Sequence, residues 1–460
     1  MGALPVAAAI LLVGYARPPD TVRRIADSGE LVVVTRNGPT TYYQDARGQA
    51  GFEYDLARLF ANYLGVRLRV VAVDDVNTAL AMVMRKEAQF AAAGITVTGD
   101  RVERVRFGPS YYEITQQLVY RNGARAPHSI DDVAAATVAV ACEPGRLKRL
   151  ITEYPDIKWR QDGTSTDALM VKLSHADLPY AVLASNDVAI NQPHFPELRV
   201  AFDLTEPEPL AWAFPKDRDD SLLDAARAFF AMVEDNGQLD ELRERYYGHI
   251  SDFDYVGVRR FLRHVDQRLP RYVRSFRAAA AALDYDWRLL AAIGYQESHW
   301  DPDAVSPTGV QGMMMLTNRT AADLGIEDRV DPHSSISGGA RYLRQIMQSL
   351  PLDIPEPDRT WFALAAYNIG LGHLEDAREI TRQRGGDPNK WLSVKDSLPL
   401  LAQKQWYGAT HYGYARGEEA VRYVRNIRTY YDILVRALPN EATPTSQVKA
   451  PSTAPATDPA

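Results

Sequence analysis

The chain is poor in cysteine. Among 460 residues there is one, Cys142. That excludes an internal disulfide framework and any cysteine-held metal cluster. Cys142 sits in a strand-like run and reads as a small core residue. Long apolar runs are lacking too. Residues 3–13 form a short apolar stretch, and no segment reaches the ~18 uninterrupted apolar residues of a membrane helix. Positive charge is not in excess. Lys and Arg number 52 against 59 Asp and Glu, a net charge of -7, so composition gives no reason to expect nucleic acid as a partner. His299, His373 and His411 lack metal-ligand spacing and read as surface or satisfied core histidines. No metal or other cofactor is expected. What remains is ordinary for a globular protein, 46% hydrophobic and 24% charged, with length for two or three domains.

The two ends read as processing or solvated segments. Residues 3–13 run into Gly14-Tyr15-Ala16, small residues at the positions a signal peptidase reads. The expectation is a signal peptide over 1–16, a leader over 17–27 and export to the periplasm, although no Lys or Arg precedes Arg17. Tyr15 stands where a lipoprotein signal would carry its lipidated Cys, so no covalent lipid anchor is expected. Residues 439–460 are rich in Pro, Thr, Ser and Ala without periodicity and read as a disordered tail.

Residues 28–250 alternate strand and helix patterns. The β-branched run 30–35 reads as a buried strand, 51–60 as a helix, 66–73 as a strand, 75–85 as a helix and 90–93 as a strand. A second cycle spans 138–190, a strand returns at 210–214, and helices close the region at 221–233 and 239–247. Such alternation implies an α/β sheet. The strings G-F-E-Y-D-L-A (51–57), A-G-I-T-V-T-G-D-R-V-E-R-V-R-F-G-P-S-Y-Y (93–112) and D-N-G-Q-L-D-E-L (235–242) resemble the periplasmic solute-binding proteins of family 3, which carry amino acids. The resemblance implies a two-lobed domain. It also implies that Arg101 clamps a ligand carboxylate through its planar fork, with Thr96 adding a hydroxyl. The acid that receives an amino group in that family has no clear counterpart here. Asn186 and Asp187 are the nearest candidates. Tyr42, Tyr43, Tyr111 and Tyr112 are read as a possible aromatic cleft for a peptide or sugar, or as core.

After a linker at 251–263 the alternation stops. Helical spacing recurs at 259–264, 271–283, 287–298, 320–323, 336–347, 360–367, 373–384, 391–394 and 420–438, with starts signposted by Asp286 and Ser335. The expectation is an all-α domain over 264–438. Leu290, Ile293, Gly294 and Glu297 fall at three- and four-residue spacing, which puts a carboxylate on an apolar helical face. Burial there raises its pKa and lets it hold a proton near neutrality.

Four strings follow in order: E-S (297–298), G-V-Q-G-M-M-M-L-T (309–317), A-A-Y-N-I-G-L-G (365–372) and R-Y-V-R-N-I (422–427). Together they resemble the lysozyme-like domain of the lytic transglycosylases. Joined to a solute-binding-like region, they resemble the F-type family of membrane-bound lytic murein transglycosylases. The fold class expected is therefore multidomain: a two-lobed α/β domain like the periplasmic binding proteins, then an all-α lysozyme-like domain. The resemblance implies a lyase acting on murein glycan strands, with Glu297 as the catalytic acid. It implies substrate contacts from Ser298, Met314, Met315, Tyr367 and Asn368, with Tyr423 fixing the rotamer of Glu297. Met315 stands where the wider family has Gln. Peripheral association with the outer membrane is implied as well, with a muropeptide or amino-acid-like ligand in the N-terminal domain. Glu297 has only Asp301 and Asp303 nearby in sequence, so the domain offers one good acid where glycosidases ordinarily use two. Two other readings stay open: a muramidase that uses water, and a solute-binding sensor with an inert lysozyme-like domain.

Overall fold

The computed structural model describes residues 20–45, 48–140, 144–162, 166–250, 255–306 and 309–438. Cys142, the signal-peptide reading, the start of the leader, residues 251–254 of the linker and the tail lie outside the described residues. The chain divides into two compact units, residues 1–259 and 260–460.

Among its described residues the first unit holds twelve strands: β1 (Glu30–Arg36), β2 (Tyr43–Asp45), β3 (Gly48–Ala50), β4 (Arg67–Val73), β5 (Phe90–Ala91), β6 (Arg106–Ile114), β7 (Gln116–Arg121), β8 (Thr137–Val140), β9 (Lys158–Gln161), β10 (Tyr180–Ala184), β11 (Leu198–Asp203) and β12 (Glu208–Phe214). One five-stranded sheet has the order β4-β1-β5-β12-β6, and a second has β11-β7-β10-β8-β9. Each combines parallel pairs, such as β1 with β4, and antiparallel pairs, such as β12 with β6. β1 is buried along its interior because helices cover both sides of the sheet, which a β-branched run tolerates. The chain passes between sheets twice, at Thr115 and after Asp203. Hydrogen bonds from Thr115 N to Ser185 Oγ (3.0 Å) and from Gln116 N to Thr205 Oγ1 (3.0 Å) tie these crossings together. The first lobe is packed around Phe52, Phe60, Phe90, Trp212, Phe229 and Phe230, and the second around Leu169, Leu173, Leu183 and Val188.

Two segments read as connections are partly helical. Thr21–Ser28 is a helix capped by Asp20, whose side chain accepts from Arg23 N at 2.8 Å. The 251–263 segment is helical from Tyr255, within Tyr255–Gln267. Polar and charged residues suggested a connection. The apolar spacing of Val258, Phe261 and Val265, all buried, decides for a helix.

The second unit is helical. Among its described residues the only β-pairing is a bridge between Val305 and Gln311. Its central helix, Trp287–Ser298, is capped by Asp286, which accepts from Arg288 N at 3.0 Å. The helix ends at His299, in the left-handed region at φ 52°. The last helix, Gly417–Ala437, packs along both Trp287–Ser298 and Asp358–Ile369. Pro332–Ser349 starts earlier than its sequence suggested. Asp331 is the cap, and Ser335 lies inside the helix, where its hydroxyl accepts from Met314 N at 3.1 Å. Among the described residues no helix is long and apolar enough to cross a membrane.

Candidate active site

Glu297 occupies the last turn of Trp287–Ser298, a helix buried from Leu290 through Tyr295. The residue itself is half-buried. Loss of water pushes its carboxyl up from the usual 4.5 to about 7. The Tyr423 hydroxyl donates to Oε1 at 2.5 Å and works the other way, because it stabilises the carboxylate. Among the described residues no second carboxylate takes part in this shift. The acid nearest in sequence is engaged elsewhere. Asp301 accepts from Asp303 N at 3.2 Å and faces Arg268 at 3.6 Å.

The long last helix delivers Tyr423, and Asp358–Ile369 delivers Tyr367. Their rings stack at 6.4 Å with 15° between planes. Burial, and after it the charge of Glu297, raises both hydroxyls well above the usual tyrosine range. Both therefore stay protonated donors near neutral pH. Tyr367 donates to the Met314 carbonyl at 3.0 Å. This bond locks the methionine loop to the helix that carries Tyr367.

That loop is shaped by close approaches. Gly312 has φ 96°, and a Cβ there would meet the Arg329 carbonyl oxygen at 2.1 Å, so only glycine fits. Arg329 Nη1 in turn donates to Leu316 O at 2.7 Å. Met315 holds φ 47°, an uncommon conformation for a residue with a side chain, and is half-buried. The Met314 side chain corrects its expected place in a sugar groove. It is fully buried, with its sulfur against Gly294 and its methylenes against Gly339. What Met314 supplies is a carbonyl for Tyr367. Ser298 is also turned inward. Its buried hydroxyl reaches Met313 O at 2.9 Å and Gly294 O at 3.1 Å, so it serves the fold of the loop and does not face outward. Asn368 lies exposed on the last turn of Asp358–Ile369.

Tyr342, on Pro332–Ser349, was not singled out in the sequence. Its ring meets Tyr367 edge-on at 5.1 Å and is half-buried. It stands in a plain helical run, with no motif to mark it. Only the packing of Pro332–Ser349 beside Asp358–Ile369 brings it to the site.

In the first unit, Thr96 and Arg101 do meet. Arg101 is 8% exposed, and its Nη1 donates to both the carbonyl and the hydroxyl of Thr96 at 2.7 Å. Asp187 joins the lobes. It accepts from Thr40 of the first lobe at 2.8 Å and from Thr166 of the second at 3.0 Å, with the Arg36 guanidinium 3.6 Å away. The four-tyrosine cleft does not form as such. Tyr111 is 1% exposed, a core residue whose hydroxyl donates to Glu53, and Tyr112 stacks on Tyr247 at 4.8 Å. The strand alternation of β6 sends Tyr111 inward and leaves Tyr112 half-buried.

Comparisons with known proteins agree with this division. The family model "Transglycosylase SLT domain" matches residues 274–389, which include Glu297, the methionine loop and Tyr367. The model "Bacterial extracellular solute-binding proteins, family 3" matches residues 31–249. Membrane-bound lytic murein transglycosylase F 1 of Alkalilimnicola ehrlichii is 49% identical over 92% of this chain and 87% of its own. Membrane-bound lytic murein transglycosylase F of Stutzerimonas stutzeri is 48% identical over 92% and 88%, and that of Marinobacter nauticus 46% over 94% and 87%. With near-half identity along almost its whole length, the chain belongs to the family of membrane-bound lytic murein transglycosylases F.

Proposed function

We propose that the chain is a peptidoglycan lyase that cleaves the β-1,4 bond between N-acetylmuramic acid and N-acetylglucosamine without water. The observation that carries this is Glu297, an acid held near 7 with no second carboxylate acting on it. A protonated Glu297 gives its proton to the glycosidic oxygen as the bond to C1 breaks. The resulting carboxylate takes the proton of the sugar's own C6 hydroxyl while that oxygen closes on C1. The products are a 1,6-anhydromuramic acid end and a free N-acetylglucosamine hydroxyl. Glu297 is protonated again, and no water is consumed. Intramolecular attack has a high effective molarity, which replaces the second carboxylate of a hydrolase. Tyr423 holds the acid's rotamer, and Tyr367 holds the methionine loop beside it. Of the substrate-contact side chains from the sequence reading, Asn368 is exposed and Met315 and Tyr367 are half-buried, which leaves these three for the substrate. Mass spectrometry of digested sacculi tests the reaction. The expected product carries the anhydro end, and a product heavier by one water would assign a muramidase.

We further propose residues 28–250 as a sensing or targeting domain and 264–438 as the catalytic domain. A muropeptide or amino-acid-like ligand would engage Arg101 and Thr96. Support comes from the family-3 match and from the meeting of Arg101 with Thr96. Calorimetric titration of the full chain with muropeptides checks this. A flat trace across the series would remove the sensing role. We also propose that the protein works in the periplasm, peripheral on the inner face of the outer membrane; relatives named membrane-bound support this reading.

A further inference from the structure

The chain is acidic overall, yet one segment of the catalytic unit is strongly basic. Between residues 260 and 277 stand Arg260, Arg263, Arg268, Arg271, Arg274 and Arg277, against a single carboxylate, Asp266. The segment comprises the end of Tyr255–Gln267, a turn at Leu269–Arg271 and the helix Val273–Ala281. Its apolar side is fixed to the domain. Phe261 packs on Tyr295 and on Tyr430, each at 4.6 Å, and Val265, Leu269 and Phe276 are buried. With that face committed, the arginines point outward. Arg260, Arg263, Arg271 and Arg274 are exposed, and none has a carboxylate within ion-pair distance among the described residues. Arg268 is half-buried and donates to the His299 carbonyl at 2.9 Å.

The charges of Arg260, Arg263 and Arg268 gather around His264, and those of Arg260 and Arg268 around His299. Burial, followed by Arg268, His299, Arg263 and Arg260, holds His264 below its usual range. Burial, then Arg260 and Arg268, lowers His299, while Asp301 opposes. These histidines are therefore uncharged near neutral pH, and the positive field belongs to the arginines. This face is not the sugar groove. Tyr295 and His299, four residues apart, share the side of the acid helix that meets Phe261 and His264. Glu297 lies between them in sequence, about 200° round the helix, and faces Tyr423.

We propose that this arginine face docks on the anionic phospholipid headgroups of a membrane and holds the catalytic unit against it. Guanidinium groups pair with phosphate in a two-pronged geometry that ammonium cannot match. Each basic side chain near an anionic bilayer raises binding about fivefold. No large apolar side chain is exposed in the segment, so the attachment is electrostatic and reversible. The proposal rests on the membrane-associated reading above. It gives this chain a means of holding a bilayer although, among the described residues, no helix is long and apolar enough to cross one.

Co-sedimentation of the full-length protein with vesicles tests it. Vesicles of phosphatidylcholine alone should not bind the protein. Vesicles with equal parts phosphatidylglycerol should bind it, and should release it as salt rises from about 0.01 M to 1 M and the screening length falls from about 30 Å to 3 Å. The combined variant Arg260→Glu, Arg263→Glu, Arg271→Glu and Arg274→Glu should bind at least about a hundredfold more weakly. Its turnover of soluble glycan strands should match that of the wild type. The same four positions changed to Gln serve as a second variant if the Glu version misfolds. Wild-type protein that ignores phosphatidylglycerol, or variants that bind as it does, would overturn the proposal. So would variants that lose binding to lipid-free sacculi while keeping vesicle binding, since that assigns the face to murein carboxylates. Loss of turnover in the wild type, with vesicle binding intact, would count against the lyase reading and leave this one standing.

Discussion

Two glutamates in this chain have nearly the same electrostatics and different situations. Glu53 in the first lobe and Glu297 in the helical unit are both pushed to about 7, in each case mainly by loss of water. Each accepts a hydrogen bond from a tyrosine, Tyr111 and Tyr423 respectively. Glu53 is 1% exposed, takes a backbone donor from Gly94 at 2.6 Å, and has a second oxygen buried without a hydrogen-bond partner. It is a core group that folds best uncharged. Glu297 is half-buried at a helix end, beside a strained methionine loop and stacked tyrosines. A raised pKa alone therefore does not identify a catalytic acid. Access and the shape of the surroundings separate the two.

Substitution breaks or sharpens the comparison most directly. Glu297→Gln should lower sacculus solubilisation by about a thousandfold, the middle of the range of general-acid catalysis. Glu53→Gln should leave the rate within about twofold, because Gln keeps an acceptor for Gly94 N and Tyr111. Equal losses would erase the distinction. Denaturant midpoints supply the complementary readout. Glu53 binds its proton more tightly folded than unfolded. Its contribution is fully present below about 4.5 and is lost as pH rises through about 7, on the order of 3 kcal/mol in all. Glu53→Gln should flatten that pH dependence.

A smaller effect lies in the rate profile. The lyase needs Glu297 protonated in its first step, so kcat/KM should fall as pH rises above about 7. No second carboxylate should impose an acid limb near 4. Tyr423→Phe removes a bond that favours the carboxylate, so the alkaline limb should move upward by up to about one pH unit. A limb that stays in place would show that Tyr423 does not act on the acid.

Local pattern made much of this legible. The bounds of Trp287–Ser298 and its Asp286 cap follow from apolar spacing and cap chemistry. The strand and helix alternation of the first unit announced its α/β class. The pairing of Tyr423 with Glu297, 126 residues apart, was reached through family resemblance and is present in the structure. Spacing by itself contains no such distance. The resemblance implies a groove contact for the side chain of Met314, which the structure buries. Gly339, on another helix, leaves a space that this side chain fills. The direction of Ser298 depends likewise on the Met313 carbonyl, and the role of Asp187 on Thr40 from the opposite lobe.

The sequence by itself determined the element types, the two-module order and the presence of one acid on an apolar helical face, because these follow from periodicities of two and 3.6 residues. Tertiary structure alone decided which glutamate stays accessible, which methionine fills the core, and that the arginine face and the Glu297 carboxyl lie on different sides of one helix. Those outcomes depend on how surfaces far apart in the chain close on one another, and no local pattern records that closure.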